Sequence, residues 1–181
     1  MTKPAPSEDT DPFAICRELG ISEALIAKRG LRVYPEAKNL SVAEISMGGR
    51  KFLLTPQATD AWRQLKQAAM ADGITIFMVS AFRSIRHQGD IIRGKLAAGA
   101  DINDIVKVLA PPGFSEHHTG RALDLTTPDS PAVQVGFELT PAFAWLQANA
   151  NDYGFVMSFP AGNSSGYQYE PWHWCYQDCN A

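Results

Sequence analysis

The run Ile74-Thr75-Ile76-Phe77-Met78-Val79-Ser80 constrains the fold of this chain more than any other segment. It is short, apolar and largely β-branched or aromatic, so it reads as a central strand rather than a helix. Before it, Thr55-Pro56 opens a helix, with Thr55 as N-cap and Pro56 at the first position, where its missing N–H costs nothing. Ala58, Trp62, Leu65 and Ala69 form the inner stripe of that helix, and Asp72-Gly73 ends it. After the strand, Ser80 to Ser84 lies at its exit, where side chains can face a cleft. Helical patterns then run through Gln88, Ile91, Ile92 and Leu96, and through Ile102, Ile105, Val106 and Leu109, until Pro111-Pro112-Gly113 stops them.

Further along, Arg121 to Leu125 reads as a strand, Thr140-Pro141 caps a helix carrying Phe143, Trp145 and Leu146, and Gly154 to Phe159 reads as another strand. A Gly/Asn/Ser loop, Ala161 to Gly166, leads to a last predicted strand, Tyr167 to Tyr176. Helices alternate irregularly with strands, which predicts an α+β fold rather than a doubly wound one. The length of 181 residues suits one domain with a real hydrophobic core. Three segments are expected: a polar leader over 1–12, a helical extension over 13–54 that packs on the rest, and a catalytic unit over 55–181. The extension rests on two short helical patterns between Phe13 and Gly30, with Ile15, Leu19, Leu25 and Ile26 as apolar positions.

Charge narrows the choice of partner. The formal net charge is -3, with only 16 Lys and Arg, so the clustered basic surface that a phosphate-backbone binder needs is missing and nucleic acid is not an expected partner. The first twelve residues hold no apolar signal-peptide core, and no later run approaches the roughly 18 apolar residues of a membrane span. As written, a cytoplasmic location is expected; an exported protein whose signal has been removed reads identically. Cys16, Cys175 and Cys179 are odd in number and lack C-x-x-C spacing, so they read as reduced packing residues. No Gly-rich phosphate loop is present, and a nucleotide cofactor is not expected.

The chemistry concentrates in two segments. Ser115-Glu116-His117-His118-Thr119-Gly120-Arg121-Ala122-Leu123-Asp124 brings two His and two acids together, and Glu170-Pro171-Trp172-His173 adds a third acid and another His. Three protein ligands of the N/O type with one open position are characteristic of catalytic zinc. His117, Asp124 and His173 supply such a set if their strands are neighbours. Acid/His clusters also serve as ordinary hydrogen-bonding residues, and spacing alone does not separate the two readings. Glu170 and His173 lie three apart, and on a regular strand would point to opposite faces; Pro171 between them makes irregular geometry reasonable.

Ser-x-His-x-x-Gly-x-Ala-x-Asp and Glu-x-Trp-His, preceded by Ser80-Ala81-Phe82-Arg83-Ser84, resemble the signature set of the zinc D-alanyl-D-alanine carboxypeptidases of the vancomycin-resistance type and their L,D-carboxypeptidase relatives. These belong to a wider group with lysostaphin-type peptidases and the hedgehog signalling domain. The likeness runs from Thr55 to Tyr176, about two thirds of the chain, with the motifs in the family order. It implies a single α+β domain with a mainly antiparallel sheet and a zinc site in a cleft on that sheet. It further implies His117, Asp124 and His173 as zinc ligands, Glu170 as general acid/base and Arg83 as the cation facing the substrate carboxylate and developing oxyanion. Gln88 and Ser115 match positions that hold the substrate backbone, Trp172 would wall the pocket, and His118 is not a ligand position. Two departures stand out: Trp174-Cys175-Tyr176 lacks the usual Arg after the aromatic, and Ser80-Ala81-Phe82 stands where relatives more often have Ser-Gly-Tyr.

The function so implied is removal of a terminal D-alanine from peptidoglycan stem peptides, D,D- or L,D-, by a monomeric enzyme. The alternatives are an endopeptidase of the same fold that cuts within the stem peptide, and a zinc-bearing binding protein without turnover.

Overall fold

The computed structural model describes residues 11–128 and 130–177. Two short helices come first, α1 (Pro12–Glu18) and α2 (Glu23–Lys28), capped by Asp11 and Ser22. A hairpin of β1 (Ser41–Ile45) and β2 (Lys51–Leu54) follows, and then α3 (Pro56–Ala71). The sheet that carries the site is built from β3 (Phe77–Ser80), β4 (Ala122–Thr126), β5 (Phe155–Met157) and β6 (His173–Tyr176). Its order is β3-β4-β6-β5, and each neighbouring pair is antiparallel. Between β3 and β4 the chain makes α4 (Ile85–Ala97) and α5 (Ile102–Val108), and α6 (Pro141–Asn149) lies between β4 and β5. This is the α+β architecture with an antiparallel sheet that the sequence predicts.

Strand periodicity divides the sheet into a core face and a site face. On β4, Leu123 and Leu125 join the main core while Asp124 points the other way; on β6, Trp174 is in the core and His173 opposes it. α3 and α6 cover the core face through Ala58, Trp62, Leu65, Phe143 and Leu146. The Thr55 hydroxyl accepts from Ala58 N at 3.4 Å, and Trp62 Nε1 donates to Glu44 Oε2 at 3.1 Å, so the buried indole is satisfied. A second core joins Cys16, Leu19 and Ile26 of the N-terminal segment to Ile92, Ile105, Val106 and Phe114.

The helical reading of 13–54 is corrected beyond α2. Residues 41–54 form the hairpin, and Phe52 and Leu54 are buried in the main core against α3. Lys51-Phe52-Leu53-Leu54 alternates its burial as a strand does, because a two-residue period puts Phe52 and Leu54 on one face. The last strand is also shorter than predicted. It begins at His173, where His173 N donates to Glu170 O at 3.1 Å and closes a turn over Glu170–His173. Pro171 has no N–H for a ladder, so the strand cannot extend regularly through it.

Cys16 and Cys175 are free and buried, as packing residues are; Cys179 and the leader through Thr10 lie outside the described residues. Among the described residues no helix is long and apolar enough to cross a membrane.

Candidate metal centre

His117 rides on a short 3-10 turn, Glu116–Thr119, that links the cleft floor to β4. Ser115 caps this turn by accepting from His117 N at 3.3 Å, and Gly120 closes it with φ of 64°. Glycine suits that place: the conformation is left-handed, which side chains disfavour, and a Cβ would stand 2.8 Å from Leu40 Cδ2 and displace it. Asp124 and His173 are directly opposite each other in the β4·β6 ladder, which brings the two motifs together across 49 residues of sequence.

The ligand atoms of His117, Asp124 and His173 lie within 4.8 Å of one another, and all three residues are buried. His117 Nε2 is 3.3 Å from Asp124 Oδ2, and His173 Nδ1 is 3.1 Å from Asp124 Oδ1. The remaining nitrogen of His117 settles its tautomer. Nδ1 lies 2.8 Å from the Ala81 carbonyl, which can only accept, so Nδ1 carries the proton and Nε2 presents a lone pair. Two imidazoles and one carboxylate converge, with the far nitrogen of each ring held by an acceptor. That donor set fits a zinc ion and its usual outer hydrogen bonds.

Burial and neighbouring charges act in opposition at the centre. Burial lowers the pKa of His117 and dominates over the Asp124 charge. Burial also disfavours charge on His173, yet hydrogen bonds to Asp124 and Glu116 outweigh it and push the ring up to about 10. The two carboxylates thus favour the charged form of His173. The Asp124 carboxyl is held far below the usual range: its own burial opposes ionisation, but His117 and His173 overcome that.

Glu170 reaches the same centre from the turn before β6. Its Oε2 is 3.8 Å from His173 Nδ1, and its backbone N donates to Phe159 O at 3.0 Å. Burial is the main cause that pushes its pKa up to about 7, with His173 opposing and Asp124 adding to the rise. The facing problem raised by the three-residue spacing is resolved by the turn, since His173 lies on β6 and Glu170 lies before it.

Arg83 lies just past β3, with one arm donating to Gln88 Oε1 at 2.8 Å and the other to Ser80 Oγ at 3.2 Å. Its Nη2 is 3.8 Å from Asp124 Oδ2. Gln88, expected to hold substrate backbone, is completely buried on α4 and spends its amide on Arg83 and on the Ala110 carbonyl, 2.6 Å away. Gln88, Ser115 and Trp172 all line the cleft, a cavity of about 320 Å³ that includes all three candidate ligands, Glu170 and Arg83.

His118 stands apart from the centre, as its motif position implies. Its Nδ1 donates to the Arg83 carbonyl at 2.6 Å and its Nε2 accepts from Gly113 N at 3.0 Å, which uses both nitrogens in a neutral ring. Burial pushes its pKa down to about 4. Glu116 is the residue that sequence reasoning missed. Its Oε2 lies 3.0 Å from His173 Nε2, and Ser158 Oγ donates to the same oxygen at 2.6 Å. Its place immediately before His117 was the available signal, but nothing in the spacing separates it from a solvated acid.

Two buried histidines and a carboxylate at the floor of a cleft, with a second carboxylate and an arginine beside them, define a candidate mononuclear metal centre of the hydrolytic kind. The chain belongs to the VanY D-alanyl-D-alanine carboxypeptidase family, whose model matches residues 51–179. It is 33% identical over 132 residues to a putative carboxypeptidase, YodJ, of Bacillus subtilis, covering 68% of this chain and 46% of that protein. The chain therefore spans about half the length of that relative. Its fold is similar to that of the LdcB LD-carboxypeptidase, with a TM-score of 0.69 and 28% identity, covering 78% of this chain and 69% of the other. It is also similar to the vancomycin-resistance D,D-pentapeptidase VanY of a VanB-type cassette, solved in complex with Zn(II), with a TM-score of 0.62 over 80% of this chain and 83% of the other. At 24% identity that second likeness is one of fold.

Proposed function

We propose that this chain is a zinc carboxypeptidase that removes the terminal D-alanine from peptidoglycan stem peptides. The observation that carries the reading is the convergence of His117, Asp124 and His173 on one cavity that also holds Glu170 and Arg83. Family membership and the Zn(II) complex of the VanY structure support it. When bound, zinc would act as a Lewis acid on the scissile carbonyl and acidify the attacking water toward neutrality.

The protein's own groups supply the rest. Glu170 takes the proton of the attacking water and returns it to the leaving amine, a shuttle suited to a carboxylate that lines the cavity 3.8 Å from a candidate ligand, His173. Arg83 binds the free C-terminal carboxylate of the peptide and faces the oxyanion as it develops. Gln88 and Ser80 hold its two arms, so little ordering remains to be lost when substrate arrives. Gln88 steadies Arg83 and, with Ser115 and Trp172, lines the cavity that receives the substrate.

The test is to incubate zinc-loaded protein with defined muropeptides ending in D-Ala-D-Ala or in L-Lys-D-Ala and to follow products by mass spectrometry. Loss of a single D-alanine from either substrate is the expected result and assigns the D,D- or L,D-preference. Internal fragments would assign an endopeptidase instead. Binding without any product would refute catalysis.

A further inference from the structure

We propose that Glu116 is a positioning residue for the metal centre, fixing His173 through its far nitrogen and so setting how tightly the site holds zinc. The inference rests on the zinc-site reading above and adds a residue to it.

The two histidines of the centre are supported differently. His117 donates its outer Nδ1–H to a neutral backbone carbonyl, that of Ala81, at 2.8 Å. His173 turns its Nδ1 toward Asp124 and Glu170, at 3.1 and 3.8 Å, and leaves Nε2 to face Glu116 Oε2 at 3.0 Å. A ring that gives one nitrogen to a metal must carry its proton on the other, and a carboxylate is the stronger acceptor for that proton. The pairing fixes ring orientation and tautomer together, and it makes the ligating nitrogen a better electron donor.

Glu116 is itself held. Ser158 Oγ donates to Oε2 at 2.6 Å, and the Tyr34 hydroxyl lies 3.5 Å from Oε1. Only 15% of its side chain is exposed. A solvated acid on a turn would be free of such contacts. Because Glu116 immediately precedes His117 in the same 3-10 turn, one short segment supplies both a ligand and the support of the ligand opposite. Tyr34 comes from before residue 51, so the N-terminal segment reaches the centre from outside the part that matches the family.

The experiment measures zinc affinity by chelator competition, and zinc release into excess chelator, for the full chain and for Glu116→Gln, Glu116→Ala and Ser158→Ala. Loss of an outer-shell carboxylate of this kind costs about 10–100-fold in metal affinity. Glu116→Ala is expected to show that loss with correspondingly faster release. Glu116→Gln, which keeps an acceptor oxygen and removes the charge, should fall between Ala and the parent. Ser158→Ala should weaken binding by about a few-fold, as one hydrogen bond to the carboxylate is lost. If Glu116→Ala does not fold, the Gln and Ser158→Ala variants decide. Folded variants whose zinc affinity and release rate match the parent would overturn the proposal while leaving the metal centre intact. A parent chain that fails to bind zinc would overturn both.

Discussion

Zinc binding to this chain should release a proton from His173, and its affinity should therefore rise steeply with pH. Without metal, His117 is neutral because burial lowers its pKa, and Asp124 is already ionised, so neither contributes a proton near neutrality. His173 differs: it is held protonated by Asp124 and Glu116 up to about 10 despite its burial. A metal ion needs its neutral nitrogen, so one proton must leave for each ion bound. Each pH unit then changes affinity by about tenfold, or about 1.4 kcal/mol, through the alkaline side of neutrality. Glu170, pushed up to about 7, adds a second proton below that point, because a cation beside it favours its ionised form. The slope should approach two in mildly acid solution. Competition against a chromophoric chelator from about pH 6 to 9, corrected for the chelator's own protonation, reads this directly. A zinc affinity flat across that range would refute the picture of His173 as a cation between two carboxylates. The metal-free fold gives a companion sign. The folded pKa of His173 is raised above its ordinary value of about 6.5, so its ion pairs stabilise fully below that pH. That stability is lost as the pH rises through about 10.

Replacing Arg83 by Lys should raise KM for substrates with a free C-terminus by an amount equivalent to about 1.5–3 kcal/mol, because a point charge cannot keep both Gln88 and Ser80 and still present a planar fork. Steady-state kinetics check this, and an unchanged KM would remove Arg83 from substrate binding. Gly120→Ala should destabilise the fold by about 1–3 kcal/mol, since φ of 64° disfavours a side chain and a Cβ would push the Leu40 methyl aside. Thermal or denaturant unfolding measures it, and parent-like stability would show that the turn relaxes without cost.

The sheet and its partners were legible because their signals are local. Leu123 and Leu125 alternate with Asp124, and the stripe of α3 repeats at helical spacing from Ala58 to Ala69. Thr55-Pro56 and Thr140-Pro141 both cap helices where their chemistry predicts. The ligand set was legible as residue types, but its convergence depends on Asp124 pairing with His173, a contact between segments that sequence spacing does not encode. The hairpin at 41–54 carries a weak local signal, since its two strands have only five and four residues. The predicted strand from Tyr167 includes Glu170, but the strand begins only at His173, because Pro171 lacks the N–H that a ladder needs. Motif position marks Gln88 as a candidate substrate contact, and it does line the cavity; its hydrogen bonds to Arg83 and the Ala110 carbonyl are tertiary facts that spacing does not encode. Glu116 escaped for the same reason, since its partners His173, Ser158 and Tyr34 are all distant in sequence.

The central claim is that Glu170 moves the proton at a metal centre held by His117, Asp124 and His173. The most direct measurement compares D-alanine release by the zinc-loaded chain and by its Glu170→Ala variant, with zinc content determined on the same samples. Loss of a positioned proton carrier should lower turnover by about 10²–10⁴-fold while the three ligands keep one zinc per chain. A variant that retains its zinc and releases D-alanine at the parent rate would contradict the account.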